Sequence, residues 1–146
     1  MTEQQTQAEH NKALVRRFFE EVLNQQHTAV LDQIIAPDFR TTFPATAAGR
    51  EGFKQTVAAF FRAFPDTHSH VEDMIAEGDR VAARGHWTGT HQGEFMGIPP
   101  TGKQVMVQYS DIWVVENDKL TDNWILMDML GMLQQLGVVP TPGQAS

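Results

Sequence analysis

The chain has 146 residues and a mass of 16.4 kDa, enough for one domain that buries a core without cross-links. Eleven Lys and Arg stand against 18 Asp and Glu, giving a net charge of −7, which argues against nucleic acid or an anionic membrane as partner. The absence of cysteine rules out disulfide and thiolate chemistry, and neither an export signal nor an 18-residue apolar run is present, so a cytoplasmic protein is expected.

In chain order, Ala13 to Leu23 places Leu14, Phe18 and Val22 at helical spacing, with Thr6 as the cap. "TAVLDQIIA" predicts a second, short helix capped by Thr28 and ended by Pro37. "DFRTTFP" predicts a brief strand. "REGFKQTVAAFFRAF" predicts a third helix, with Phe53, Val57, Phe60, Phe61 and Phe64 on one face and Pro65 as its stop. Beyond Pro65 the period falls to two. "THSHVEDMIAEGDRVAARGHWTGTHQG" predicts two strands around Gly78, and "KQVMVQYSDIWVVENDKLTDNWILMDML" two more around "NDK". "EFMGIPPTGK" between the pairs predicts an irregular loop. Helices followed by a meander predict one α+β domain over residues 1–140, with a curved antiparallel sheet packed on the helices and a tail over 141–146.

The candidate chemistry lies on the last two strands. If the final strand runs on through Asp128, then Asp122, Trp124, Leu126 and Asp128 share one face, and Asn123, Ile125, Met127 and Met129 share the other. A carboxyl among such neighbours is poorly solvated, its proton affinity rises, and it suits acid/base work. The plainer reading of Asp128 is a cap, or a partner of Arg84 or Lys103. Asp111 shares a face with Tyr109 and Trp113 and is the second candidate; its plainer role is pairing with a helix arginine. His68, His70 and Glu72 share a strand face that could hold a metal, but one strand makes no site, and a polar surface face is the expectation. No glycine-rich phosphate loop leads into a helix, so no cofactor is expected.

"GTHQGEFMGIPPTGK" (89–103) followed by "DNWILMDMLGMLQQLG" (122–137) resembles the SnoaL-like polyketide cyclase, or ester cyclase, group of the nuclear transport factor 2-like superfamily. The resemblance runs from "FFEEVLNQ" through "APDF" and "FPD" to "QLG", although "RTTF" stands where many members carry a histidine, and Asp122 where a glutamate is usual. It implies a cone: a curved sheet around three N-terminal helices with a pocket between. It further implies an intramolecular aldol closure run by an aspartate of the last strand, which Asp128 matches, and a small hydrophobic or aromatic substrate. The lining expected with it is Tyr109, His91, His86, Trp124 and Phe95. An epoxide-hydrolase-like set (Asp111, Asp128, Arg84, Tyr109, Asn123), an isomerase and a non-catalytic binder are the alternatives. Apolar residues on both faces of "QVMVQYSDIWVV" predict a homodimer.

Overall fold

A computed structural model of the chain describes residues 2–143; the last three residues of the expected tail lie outside the described residues. Helix α1 (Glu3–Arg17) starts ten residues earlier than the hydrophobic pattern begins. Thr2 rather than Thr6 caps it: the Thr2 side chain accepts from Gln5 N–H, and the Gln5 side chain returns the bond to Thr2 N–H. The helix then widens into a π-helical turn over Phe18–Asn24, which buries Phe18, Phe19 and Val22 together. After a short helix α2 (Leu31–Ile34), strand β1 (Ile35–Thr41) follows without a break. Pro37 sits inside that strand rather than merely ending a helix, as an edge strand permits. Helix α3 (Gly49–Ala63) and strands β2 (His68–Glu77), β3 (Arg80–Thr90), β4 (Gln104–Glu116) and β5 (Lys119–Met127) lie close to their expected places. The β4–β5 turn sets Asn117 and Asp118 at φ 51° and 60°, the left-handed pair of a tight hairpin.

Two further features differ from expectation. The sheet is mixed, in the order β1-β5-β4-β3-β2, because β1 returns parallel to β5 and brings Thr41 opposite Asn123. And the chain leaves the sheet at Met127: Asp128 caps a fourth helix, α4 (Met129–Gln135), its Oδ1 accepting from Gly131 N–H at 2.9 Å. Periodicity could not separate the two readings of this short apolar run, since apolar residues stand on both sides of Asp128 and the acid reads equally as a strand residue or as a helix cap.

The fold is α+β, with the sheet closed over the helices. Along β4 burial alternates strictly from Gln104 to Trp113, so Val105, Val107, Tyr109, Asp111 and Trp113 face the helices. Trp113 is the hub of the core: its ring centre lies 4.8 Å from Phe18, 6.2 Å from Phe39 and 6.3 Å from Phe19. On the other face an apolar row crosses four strands through Ile75, Ala82, Ile112 and Trp124, which are mutual partners in register. None of the described helices is long and apolar enough to cross a membrane.

Gly85 on β3 is a point of close approach. A Cβ there would lie 2.1 Å from the His70 carbonyl oxygen and 3.0 Å from the Tyr109 hydroxyl. Gly85→Ala is therefore expected to lower stability by about 1–3 kcal/mol in urea titration, because the β2 backbone has to move. An unchanged midpoint would show that β2 gives way freely.

Candidate active site

A cavity opens between the helices and the inner face of the sheet, with about 80 Å³ accessible to the centres of water-sized molecules. The helical wall is Phe18, Phe19 and Leu23 from the π turn, with Phe53, Val57 and Phe60 from α3. Ser69, Trp87, Tyr109, Asp111 and Trp113 form the sheet wall, and Asn123, Ile125 and Met127 of β5 complete it. Among the described residues that line it there is no Lys, Arg or His. The cavity is thus a hydrocarbon chamber with a few polar atoms and one carboxyl.

That carboxyl is Asp111, which is 3% exposed. Burial raises its pKa to about 7, by taking the charged form out of water. Asn123 opposes the shift, its Nδ2 donating to Asp111 Oδ2 at 3.2 Å. The Trp113 indole also favours the charged form, without reaching hydrogen-bond geometry. Oδ1 is sealed from water and has no partner among the described residues. Two residues along β4, Tyr109 is pushed up to about 12, mainly by burial, so its phenol stays protonated at any ordinary pH. Its hydroxyl lies 3.2 Å from Ser69 Oγ, and Ser69 is held in turn by Asn24, which donates to its carbonyl at 3.0 Å and accepts from its N–H at 2.7 Å. The site therefore offers a carboxyl that exchanges a proton near neutrality beside a phenol that keeps its own.

Of the residues singled out in the sequence, the structure brings together Asp111 and Tyr109. It does not bring Asp128 to them. The strand ends at Met127 instead of running on past Asp128, and Asp128 is exposed on the far face beside Leu126, so its expected place in an enclosed pocket is corrected to that of a helix cap. Trp124 shares that outer face, 39% exposed, with the Arg80 guanidinium 4.9 Å from its ring centre. His86 is also outside: Nδ1 pairs with Glu72 at 2.8 Å, and its ring stacks on His70 at 4.7 Å. His91 is fully buried, but it holds the 91–103 loop instead of facing the cavity. Thr101 N–H donates to its Nδ1 at 3.2 Å, and its ring lies 5.5 Å from Phe64. Phe95 stands behind the wall, 6.0 Å from Phe60 and 5.2 Å from Phe64. Arg84 binds Glu72 at 2.9 Å and Asp73 at 2.5 Å on the outer face, so the epoxide-hydrolase set is not assembled. Among the described residues no group of three or more His, Cys, Asp or Glu could hold a metal. Sequence reading passed over Ser69 and Asn24, and weighed Asn123 only for the epoxide set; its parity with Ile125 and Met127 was the available signal.

Residues 13–136 match the family described as SnoaL-like polyketide cyclase. Among solved structures, TsrD from Streptomyces laurentii is 28% identical, with a TM-score of 0.83 over 89% of this chain and 96% of that one. IdmH from Streptomyces antibioticus, a candidate polyketide cyclase, is 30% identical, with a TM-score of 0.75 over 88% and 99%. AclR from Streptomyces galilaeus, a candidate hydroxylase, is 28% identical, with a TM-score of 0.79 over 92% and 85%. No curated protein matches the chain in sequence.

The raised pKa of Asp111 makes stability depend on pH. The folded state holds this proton up to about pH 7, whereas an unfolded Asp loses it near pH 4, so the group lowers stability progressively as pH rises between those values. The full cost above pH 7 is of the order of 4 kcal/mol. Asp111→Asn removes it, and is expected to be more stable than the parent at pH 8 but not at pH 4, as measured by urea unfolding at each pH.

Proposed function

The chain belongs to the SnoaL-like polyketide cyclase family, and on that premise we propose that it catalyses proton transfer at carbon in a neutral, largely apolar carbonyl compound, most simply an intramolecular aldol closure. The single observation that carries this reading is the buried Asp111 carboxyl, with an affinity for its proton near neutrality, in a cavity that none of the described residues lines with a cationic side chain. Without such a cation the site has nothing to offset the charge of a phosphate or carboxylate substrate, whereas aromatic walls suit a planar hydrophobic one.

The steps balance within this group. Ionised Asp111 takes the proton from a carbon next to a ketone; the C–H electron pair becomes the enolate, and the Tyr109 hydroxyl donates to the enolate oxygen. The enolate carbon then forms a bond to a second carbonyl carbon of the same molecule. That carbonyl's oxygen takes the proton back from Asp111, which leaves the carboxylate ready for another turn. Holding the substrate folded on itself is the work of the aromatic wall.

Enolisation alone is enough to test the chemistry. Solvent deuterium exchange into a panel of neutral aryl ketones, followed by NMR, is expected to be catalysed by the parent, with a rate that rises with pH through about 7. In Asp111→Asn the rate is expected to fall by roughly a hundredfold with ketone binding retained. Binding without any catalysed exchange in the parent would favour the second reading, a small-molecule-binding module, for which the apolar chamber suffices.

The same reading includes a homodimer. Ile75 is 68% and Leu126 81% exposed on the outer sheet face, on or beside the apolar row through Ile112 and Trp124, an arrangement suited to covering by a second copy. The parent is expected to run as a dimer in light scattering at micromolar concentration, and the double variant Ile75→Arg, Leu126→Arg as a monomer. A monomeric parent would sink the proposal.

A further inference from the structure

The two oxygens of Asp111 have different surroundings. Oδ2 accepts from Asn123, whereas Oδ1 is buried and unpartnered. An asparagine amide can sit either way round, and here its neighbours fix which end faces the acid. The Thr41 hydroxyl donates to Asn123 Oδ1 at 3.0 Å, while its oxygen accepts from Phe43 N–H at 3.0 Å, so the hydroxyl proton is directed at Asn123. With its oxygen engaged by Thr41, Asn123 turns its N–H toward Asp111. The backbone makes this possible, because the parallel pairing of β1 with β5 sets Thr41 and Asn123 opposite each other at the sheet edge.

We propose that Asn123, held by Thr41, is the positioning residue of the acid/base carboxyl: it tethers Oδ2 and so fixes how the carboxyl is held against the cavity. The inference rests on the reading of Asp111 as the acid/base. It gives the out-of-order strand β1 a part in the chemistry. The tether also stabilises the ionised form, since a donor amide bonds more strongly to a carboxylate than to the neutral acid, and this holds the carboxyl in its working range rather than above it.

The test follows the Asp111 carboxyl by NMR in protein carrying 13C-labelled aspartate, titrated from acid to alkaline pH with no substrate present. The parent midpoint is expected near 7. Asn123→Ala is expected to raise it by about one unit, the order of effect of one hydrogen bond to a charged group. Thr41→Val, which keeps shape and removes the hydroxyl, is expected to raise it by part of that amount, and Thr41→Ser to restore the parent value. The pH profile of ketone exchange is expected to move in the same order. Identical midpoints in folded Asn123→Ala and the parent would overturn the proposal. Should Asn123→Ala fail to fold, identical midpoints in Thr41→Val and Thr41→Ser would overturn it equally. Since the titration needs no ligand, midpoints that move as expected while Asp111→Asn still exchanges would overturn the acid/base reading and leave the tether standing.

Discussion

A carboxyl group sealed in hydrocarbon is the constraint on which the site depends. Desolvation alone would drive Asp111 toward permanent protonation, and full solvation would leave it a weak base at neutral pH; it is useful only between those limits. The aromatic cluster around Trp113 supplies the dry side, since Phe18, Phe19 and Trp113 both pack the core and line the cavity. One amide supplies the polar side. Core packing and proton affinity are therefore set by the same side chains, and a substitution that loosens the cluster admits water and alters the chemistry as well as the stability.

The sheet sorts its residues by parity, and that sorting separates two kinds of surface on one layer. From Gln104 to Trp113 odd positions of β4 face the helices, Tyr109, Asp111 and Trp113 lining the chamber, while even positions join an outer face crossed by an apolar row and edged by charge pairs such as Arg84 with Glu72 and Asp73. The rings of His68, His70 and His86 belong to this outer layer, on the face away from the carboxyl, His68 edge-on to His70 and His70 stacked on His86. Desolvation lowers the pKa of His70, with the neighbouring histidines adding to the effect.

Much of this was legible in the residues. The helices, the hairpins and the inward set on β4, Asp111 included, follow from periods of 3.6 and two, and the chain-long family resemblance agrees with the α+β cone. What periodicity could not show was where β5 stops. Asp128 looks like an acid trapped within a strand only if the strand continues; once the chain turns into α4 after Met127, the same residue is an ordinary cap. Thr41 was equally out of reach, because its place beside Asn123 depends on a parallel pairing between residues some eighty positions apart. The hydrogen bond between Ser69 and Tyr109 was hidden for the same reason, as a contact between strands on opposite sides of β3.

Strand β2 is the outermost strand on its side of the sheet, and its free backbone edge would ordinarily invite a strand from another molecule. Asn24 occupies part of that edge. Its side-chain amide both donates to the Ser69 carbonyl and accepts from the Ser69 N–H, the pair of bonds that a neighbouring backbone would make. One asparagine thereby imitates a peptide unit and blocks the first rung of an intermolecular ladder. A chain that lost this imitation would leave the Ser69 N–H and carbonyl unpaired at the edge of β2.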